Sequence, residues 1–352
     1  MKVLLGLSGG VDSSVAAYLL KQEGFEVTAG FMRNWEDDDG SPYCSVKEDF
    51  MDAAQVADKL SINLVQMNFA QKYKEKVFSY FLDELNNGKT PNPDIYCNKY
   101  IKFKEFTDYA FENGYDAVAT GHYSKIQVID REYFLCKSYD QSKDQTYFLS
   151  QVDKEIFSKI KFPLGNLLKT DVRKIAEREN LITFDKKDST GICFIGERPF
   201  PEFLKNYLPE EYGEIVDDSG EVIGSHKGLH FYTIGQRQGL GIGGLKNREE
   251  KAWYVVDKDF SNNKLVVVQE NNHPLLFKTE LKVSNINWLK EPSSNLVSAK
   301  IRYRQIDQIC EIDVEDNNAS VRFKEPQRAV TPGQFIVFYE DEICLGGGEI
   351  DI

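Results

Sequence analysis

A run of small and hydroxyl side chains near the amino terminus has the composition of an anion-binding loop. The apolar run Val3-Leu4-Leu5 precedes the segment Leu7-Ser8-Gly9-Gly10-Val11-Asp12-Ser13, and apolar side chains at helical spacing follow it. Adjacent glycines let backbone N–H groups converge on an anion, and the start of a helix adds partial positive charge. Because the loop contains no lysine, it is not the phosphate loop that ends in Gly-Lys-Ser/Thr. The pattern predicts a strand, a phosphate-binding loop and a helix.

Two of the six cysteines lie in contexts that differ from an ordinary core position. Cys97 follows Pro91-Asn92-Pro93-Asp94 closely, and the segment from Asn98 is predicted to be helical. A thiol near a helix start has a lowered pKa, and the nearby Asp94 is a candidate acid or base for work on a carbonyl. Cys193 lies in a glycine-flanked segment, 191–196. The alternative for both is an inert buried thiol, since free cysteines are most often small core residues.

The elements around these residues are those of an α/β domain. Strand-like and helix-like segments alternate over the first 120 or so residues, which predicts a parallel sheet with crossover helices. Ligands of such sheets bind at the carboxyl ends of the strands, so the glycine loop, Met32 and Gly121-His122 should share one edge. Met32 faces either an adenine ring or the core there. Strands are predicted at 3–7, 26–32, 63–68 and 116–120, and helices at 11–22, 45–60, 71–86 and 154–180.

The character of the sequence changes after Pro199. Glycine, tyrosine, valine and turn residues dominate, and alternation replaces the helical period. Two small β-rich, barrel-like domains are therefore expected after the parallel-sheet domain. The predicted division is 1–200 for the α/β domain, 201–276 for a central β-rich domain and 277–352 for a carboxyl-terminal barrel.

Composition narrows the function classes. No apolar stretch reaches the roughly 20 residues that a membrane span requires. The six cysteines are scattered, with no Cys-x-x-Cys pair and no Cys/His metal spacing, which predicts a reducing compartment, the cytosol, and argues against zinc and iron–sulfur sites. The net charge of −13 is unusual for a nucleic-acid binder, but lysines and arginines cluster locally around 72–76, 99–104 and 169–178. Charge therefore neither supports nor excludes an RNA ligand.

The motifs in combination resemble a known family. The glycine loop resembles the SGGxDS loop of the ATP pyrophosphatase (PP-loop) superfamily, whose members cleave ATP between the α and β phosphates and activate an oxygen as an adenylate. With Asn-Pro-Asp-x-x-Cys-Asn around Cys97 and Gly-Ile-Cys-Phe-Ile-Gly around Cys193, the chain resembles the tRNA-specific 2-thiouridylases of the MnmA family. The resemblance spans nearly the whole chain, with further matching blocks at 119–123, 143–149, 233–237, 302–305 and 332–334.

The resemblance implies ATP-dependent 2-thiolation of uridine 34 in tRNA, with adenylation of the C2 oxygen and Mg²⁺ as the counter-ion of the nucleotide. Cys193 would carry the persulfide that supplies sulfur. Cys97 would be the nucleophile that releases it, which leaves a Cys97–Cys193 disulfide. The implied partners are tRNA and a persulfide-donating relay protein or cysteine desulfurase. The implied contacts are ATP at Gly6, Leu7, Ser8, Gly9, Gly10, Val11, Asp12, Ser13, Met32 and Gly121; the target base at Asn92, Pro93 and Asp94; and tRNA at His122, Lys143, Asp144, Gln145, Tyr303, Arg304 and Gln334.

Other interpretations remain open for single residues. Without the resemblance, Tyr303 and Arg304 are equally well explained as cross-strand partners, Gln334 as a turn residue, and His122 as a hydrogen-bonded histidine near a strand end. The four cysteines assigned to structure are Cys44, Cys136, Cys310 and Cys344.

Other functions are also weighed. A glutamine-dependent synthetase, an iron–sulfur thiolase and a rhodanese-fused 4-thiouridine enzyme each need a domain or motif that is not recognisable in the sequence. A non-catalytic RNA-binding module is the alternative from another class. The intact glycine loop and the two cysteines argue against it.

Overall fold

The computed structural model describes residues 1–36, 46–188, 200–243 and 251–351, and its first part is built on a five-stranded parallel sheet. The strand order is β3-β2-β1-β4-β7, and Gly6 of β1 is paired with Gly30 of β2. The strands of this sheet are β1 (Lys2–Gly6), β2 (Glu26–Arg33), β3 (Asn63–Asn68), β4 (Ala117–Ala119) and β7 (Ile160–Lys161). The predicted parallel sheet is confirmed.

Alternation along the central strand creates two cores. Leu4 packs in one apolar cluster with side chains of residues 69–110, whereas Val3 and Leu5 pack in a second cluster on the opposite face. Because successive side chains of a strand point to opposite faces, an unbroken apolar strand buries both. The helices that cover the faces are α1 (Val11–Gln22), α2 (Val46–Lys59), α3 (Ala70–Tyr73), α4 (Ser79–Asn86), α5 (Pro93–Tyr96), α6 (Phe106–Glu112), α7 (Thr146–Leu149) and α8 (Lys169–Arg178).

Two of the predicted helices differ from the structure. The predicted helix 71–86 is present from Ala70, with a π-helical segment (Lys74–Phe78) between α3 and α4. The predicted helix 154–180 is wrong: a 3-10 helix (Lys154–Lys159), the strand β7 and a turn region precede α8. Pro163 and Gly165 explain the break, since proline removes a backbone donor and glycine lowers helix propensity.

The second half is β-rich, as expected. After α9 (Phe200–Leu204), a four-stranded sheet has the order β10-β11-β8-β9, and short 3-10 helices lie at Leu229–Phe231 and Pro274–Leu276. Six further strands in the order β12-β15-β14-β13-β16-β17 close into a barrel through pairing of the first with the last. The strands are β8 (Gly213–Asp217), β9 (Val222–His226), β10 (Trp253–Asp259), β11 (Lys264–Gln269), β12 (Phe277–Trp288), β13 (Leu296–Lys300), β14 (Gln308–Glu315), β15 (Asn318–Arg328), β16 (Phe335–Glu340) and β17 (Ile343–Asp351).

A hairpin from the first half extends the sheet of the barrel. It consists of β5 (Lys125–Ile129) and β6 (Glu132–Cys136), and Cys136 pairs with Ile343 of β17. The predicted division of the chain at 200 and 276 stays a prediction, because this hairpin joins a sheet formed mainly by the carboxyl-terminal residues. Among the described residues, no helix is long and apolar enough to cross a membrane.

Candidate active site

The glycine loop lies between β1 and α1 and is closed by hydrogen bonds among its own residues. The Ser8 backbone N–H donates to Ser13 Oγ over 3.1 Å, and the two side-chain hydroxyl oxygens lie 3.1 Å apart. Gly10 is the N-cap of α1, and its carbonyl accepts hydrogen bonds from the Ser13 and Ser14 hydroxyls. The first backbone N–H groups of a helix lack an intrahelical partner, so this end of α1 offers donors to an anion.

Two glycines are required by the geometry of the loop. Gly9 has a φ of +76°, and a Cβ there would lie 2.2 Å from the backbone oxygen of Asp49. A Cβ on Gly121, which follows β4, would lie 2.8 Å from the backbone nitrogen of Ser13. The loop after β4 therefore packs directly on the start of α1. The predicted ATP contacts from Gly6 to Ser13 run from the end of β1 through the loop into the first turn of α1, and Gly121 lies against the start of α1.

Met32 lies at the same edge of the sheet. It pairs with Met67 of β3, and its Cε would be 3.2 Å from a Cβ on Gly6. The absence of a side chain at Gly6 leaves room for this methionine over the end of β1. Met32 is half-buried and packs against the apolar cluster of residues 69–110, so an adenine ring and the core are both within its reach.

Two lysines supply the positive charge that the glycine loop lacks. Lys169, the first residue of α8, donates to both carboxylate oxygens of Asp12 over 2.8 Å, and Tyr123 Oη donates to Asp12 Oδ1 over 2.8 Å. Lys186 Nζ donates to the Gly9 carbonyl over 3.0 Å and also forms an ion pair with Asp49. Each lysine also pairs with a second carboxylate, Lys169 with Asp188 and Lys186 with Asp52.

Sequence reasoning missed Lys169, although it left a signal. A lysine at the first position of a helix opposes the helix dipole, which favours anions there, by about 0.3–1 kcal/mol. The side chain of Lys169 is also only 11% exposed, and lysines are rarely buried unless they are paired. An unfavourable, buried cation next to a phosphate-type loop is therefore a functional candidate.

Asp188 connects three cationic side chains near the loop. Its carboxylate lies 2.8 Å from Lys143 Nζ, Lys169 Nζ and an Arg173 guanidinium nitrogen. Burial raises the pKa of Asp188, but the hydrogen bonds from Lys143 and Lys169 outweigh it and hold the pKa at about 2. The carboxylate is therefore ionised at neutral pH, and Asp12 and Asp188 together fix Lys169.

Cys97 is positioned by a helix that begins earlier than predicted. The helix starts at Pro93 rather than at Asn98, because Asn92 Oδ1 accepts from the Asp94 backbone N–H over 3.2 Å and Pro93 occupies the first turn. Cys97 therefore lies in the second turn, where the field of the helix end is weak. Its side chain is fully buried, and the Asn98 side chain donates to the Asp94 carbonyl over 2.9 Å.

The helix that carries Cys97 packs against the nucleotide-binding edge. A π-helical segment (Cys97–Glu105) continues from α5, and its Phe103 ring lies 5.7 Å from the His122 ring, measured between centroids. His122 directly follows Gly121, which contacts the start of α1. A chain of contacts thus connects the cysteine helix to the glycine loop through Phe103, His122 and Gly121.

His122 is held as a neutral side chain. Its Nδ1 lies 2.7 Å from Thr120 Oγ1, and the residue is 8% exposed. Burial, together with the charge of Lys102, lowers the pKa of His122 well below its usual value. The interpretation of His122 as a hydrogen-bonded histidine near a strand end describes its surroundings, and its predicted contact with tRNA stays a prediction.

Within the predicted RNA-binding triplet 143–145, Asp144 is buried, whereas Lys143 and Gln145 are half-buried. Lys143 is half-buried and reaches Asp188. The Asp144 carboxylate is internal: it accepts from the Ser138 backbone N–H over 3.0 Å and from Thr146 Oγ1 over 2.6 Å, and its side chain is 3% exposed. This geometry counts against direct contact between Asp144 and RNA. Gln145 Oε1 accepts from the backbone N–H of Tyr123.

The remaining predicted RNA contacts lie outside the strands. Tyr303 and Arg304 follow β13 in a turn, so they are not cross-strand partners; the guanidinium of Arg304 lies 5.2 Å from the centre of the Tyr303 ring. Tyr303 also packs on Phe148 with a centroid distance of 4.5 Å. Gln334 is in the turn before β16, and its Nε2 donates to the Thr90 carbonyl over 2.6 Å. Its amide nitrogen is thus used within the protein.

Three of the other four cysteines are buried, and the structure does not describe Cys193 or Cys44. Cys136, Cys310 and Cys344 are buried in strands, where burial raises the pKa of Cys136 to about 11 and the pKa values of Cys310 and Cys344 to about 12. Such thiols are unreactive at neutral pH. Cys193 and Cys44 lie outside the described residues.

The described residues bring hydrogen-bond donors for an anion close to a helix that carries a cysteine. The loop and the start of α1 offer hydrogen-bond donors, Lys169 and Lys186 lie beside them, and the helix of Cys97, which carries Asp94 in its first turn, contacts His122 through Phe103. Asp12 is already engaged by Lys169 and Tyr123, and among the described residues no group of three or more metal-ligating side chains exists.

Three family profiles match the chain in succession. The profile described as the tRNA methyl transferase HUP domain matches residues 1–197, the tRNA methyl transferase PRC-barrel domain matches 201–269, and the aminomethyltransferase beta-barrel domain matches 278–350. The profile descriptions name methyl transfer, whereas curated relatives that span the same residues carry a different name.

The relatives are similar over nearly full length. A tRNA-specific 2-thiouridylase MnmA from Hahella chejuensis is 54% identical over 353 residues, which is 99% of this chain and 97% of that protein. A protein of the same name from Francisella tularensis subsp. novicida is 53% identical over 354 residues, 99% of both chains. Among solved structures, a 4-thiouridine synthetase–RNA complex with bound ATP is 18% identical, covers 58% of this chain and 50% of that one, and has a TM-score of 0.34. The chain belongs to the family of tRNA-specific 2-thiouridylases.

Proposed function

We propose that this protein catalyses the ATP-dependent 2-thiolation of uridine 34 in tRNA. The observation that carries the proposal is the contact between the two halves of the site: the helix of Cys97 packs on His122, and Gly121 packs on the glycine loop. Activation of an oxygen by ATP and attack by a thiol require both groups at one substrate, and the contacts from the cysteine helix through His122 and Gly121 to the glycine loop support such an arrangement.

The first step is adenylation. The C2 oxygen of the uracil attacks the α phosphorus of ATP, the bond to the bridging oxygen of the β phosphate breaks, and pyrophosphate leaves. Gly9, Gly10 and the start of α1 donate backbone hydrogen bonds to the phosphates, while Lys169 and Lys186 balance the charge that develops on the leaving group. Met32 and Gly121 contact the adenosine. Mg²⁺ enters with the nucleotide.

The second step transfers sulfur. The terminal sulfur of a persulfide on Cys193 attacks C2, and AMP leaves with the original oxygen. The Cys97 thiolate then attacks Sγ of Cys193, which releases 2-thiouridine and leaves a Cys97–Cys193 disulfide. An external thiol reductant supplies the two electrons that reopen it. Adenylation is needed because an unactivated carbonyl oxygen is a poor leaving group, whereas AMP is a good one.

The substrate contacts in this proposal are those that the family resemblance implies. Asn92, Pro93 and Asp94 line the target base, with Asp94 as the candidate proton carrier. Lys143, Gln145, His122, Tyr303, Arg304 and Gln334 lie on the tRNA side. Arg304 pairs with phosphate, and Tyr303 stacks on an unpaired base. Asp144 is a positioning residue in this proposal, since its carboxylate is buried. The protein acts in the cytosol and receives sulfur from a relay protein or a cysteine desulfurase.

The experiment that tests adenylation follows the oxygen. We would prepare a tRNA anticodon substrate with ¹⁸O at C2 of uridine 34, incubate it with the protein, ATP, Mg²⁺ and a persulfide donor, and analyse the released AMP by mass spectrometry. The proposal predicts ¹⁸O in AMP, and no AMP without RNA. Unlabelled AMP formed at the same rate with or without RNA would contradict it. A parallel incubation with S-adenosylmethionine tests the methyl transfer named in the profile descriptions, and no methylated nucleoside is expected.

A further inference from the structure

Lys89 lies at the centre of a charged cluster that joins the first half of the chain to the barrel. Its Nζ is 2.8 Å from Glu84 Oε2, 3.3 Å from Glu349 Oε1 and 3.8 Å from Asp351 Oδ1. The Glu349 side chain is 5% exposed and also accepts a hydrogen bond from Tyr80 Oη over 3.1 Å. A buried carboxylate at the end of β17 needs these partners, because an unpaired charge in the interior is strongly unfavourable.

The residue after Lys89 is held by the barrel through its backbone. Thr90 N–H donates to the Pro332 carbonyl over 2.8 Å, and the Thr90 carbonyl accepts from Gln334 Nε2 over 2.6 Å. Gly333, with a φ of +83°, lies so close that a Cβ there would be 2.8 Å from the Cβ of Lys89. We define the barrel clamp as Lys89 and Thr90 together with the residues around them. These are the carboxylates of Glu84, Glu349 and Asp351 and the turn residues 331–334.

The barrel clamp acts on the residues proposed to hold the target base. Pro91 and Pro93 restrict the backbone on both sides of Asn92, and Asn92 caps the helix of Cys97. Fixing Thr90 therefore fixes the start of that helix. A second connection supports the same helix one turn later, because Lys99 Nζ donates to Gln151 Oε1 over 3.3 Å and Gln151 Nε2 donates to the carbonyl of Gly347 in β17.

We infer that the carboxyl-terminal barrel supports the active site by holding the Asn92–Asp94 segment in position. Lys89 is the positioning residue through which it does so. The inference rests on the proposed function. Displacement of a reacting group by about 1 Å can cost about 100-fold in rate, so loosening this segment lowers turnover without removing any group that contacts substrate.

The test compares Lys89 with a matched lysine of the barrel. Lys89→Met removes the charge, Lys89→Arg restores it, and Lys290→Met is the control. The Lys290 side chain is 29% exposed, as against 30% for Lys89, and it forms an ion pair with Glu340 that has no contact with residues 89–94. We expect kcat for thiolation to fall at least about tenfold in Lys89→Met, with the KM for ATP within about twofold of the original protein. Lys89→Arg and Lys290→Met should keep most of the activity.

Hydrogen exchange provides a readout that needs no activity. The backbone amides of residues 94–97 should exchange faster in Lys89→Met than in Lys290→Met, while those of α1 should not change. Equal kcat and equal exchange in the two methionine variants would overturn the inference. If the original protein and Lys290→Met form no 2-thiouridine, the proposed function fails, and the exchange comparison alone decides whether the barrel clamp positions the segment.

Discussion

The strongest quantitative prediction concerns Lys169, which sequence reasoning did not identify. Its Nζ contacts both oxygens of Asp12 at 2.8 Å, and Asp12 belongs to the glycine loop itself. In the proposed complex the phosphates of ATP bind at this loop, and the ammonium group of Lys169 would then contact a phosphate oxygen. Lys169→Met keeps most of the aliphatic side chain and removes only the charge and its donors.

The expected magnitude follows from the loss of one charge-assisted hydrogen bond. Such bonds contribute about 1.5–3 kcal/mol, which corresponds to an increase of about 10- to 150-fold in the dissociation constant of ATP. The carboxylates of Asp12 and Asp188 compete for Lys169 before ATP binds, so the lower part of this range is expected. Asp12 keeps its hydrogen bond from Tyr123 in the variant, and 32% of its side chain is exposed to water.

Isothermal titration calorimetry with ATP measures the effect, and Lys174→Met is the matched control. Lys174 is on the same helix, but its side chain is 76% exposed and it pairs only with Asp171, at 3.1 Å. Its substitution should change the dissociation constant by less than about twofold, since exposed ion pairs contribute little. A folded Lys169→Met variant that binds ATP as tightly as Lys174→Met would refute the assignment of Lys169 to the phosphate site.

Three further predictions concern the same edge of the sheet. Gly121→Ala places a Cβ 2.8 Å from the Ser13 backbone nitrogen and should weaken ATP binding by about tenfold or more. Gly243→Ala, whose added Cβ has no atom of the described residues within 4 Å, should not change it. His122→Gln should reduce the loss of stability in acid. The pKa of His122 in the folded state is below 6.5, so the unfolded chain takes up a proton that the folded protein does not. This lowers the free energy of unfolding by about 1 kcal/mol between pH 6.5 and 5.5. Identical urea midpoints for both proteins across this range would contradict the prediction. Asn92→Ala removes the helix cap on Asp94 N–H and should lower the free energy of unfolding by about 1 kcal/mol in urea denaturation, and an unchanged midpoint would argue against the cap.

The parallel-sheet domain could be predicted because its signals are local. Apolar runs such as that of β1 and the glycines after it specify a strand and a loop without reference to distant residues. The same reasoning placed Met32 and Gly121 at the edge that the glycine loop occupies, since parallel strands bring their carboxyl ends together. The predicted helix 154–180 was wrong because Pro163 and Gly165 were given too little weight.

The missed parts of the site depend on long-range contacts. Lys169 is separated by 157 residues from Asp12, and Lys186 by 177 from Gly9. Nothing in a local window shows that such pairs meet. Asp144 shows the opposite error: its motif suggested an RNA contact, whereas three-dimensional packing buries its carboxylate beneath Ser138 and Thr146.

The measurement that tests the central claim most directly is the nucleoside content of tRNA after reaction. Purified protein, ATP, Mg²⁺, a persulfide donor and tRNA with unmodified uridine 34 would be incubated, and the RNA digested and analysed by mass spectrometry. The account predicts 2-thiouridine at position 34 with the original protein, and its loss in Cys97→Ser and in Cys193→Ser. It also predicts formation with Cys136→Ser, because that thiol is buried in a strand and burial raises its pKa to about 11. Cleavage of ATP to AMP without any thiolated nucleoside, or equal thiolation by the Cys97 and Cys136 variants, would contradict the account.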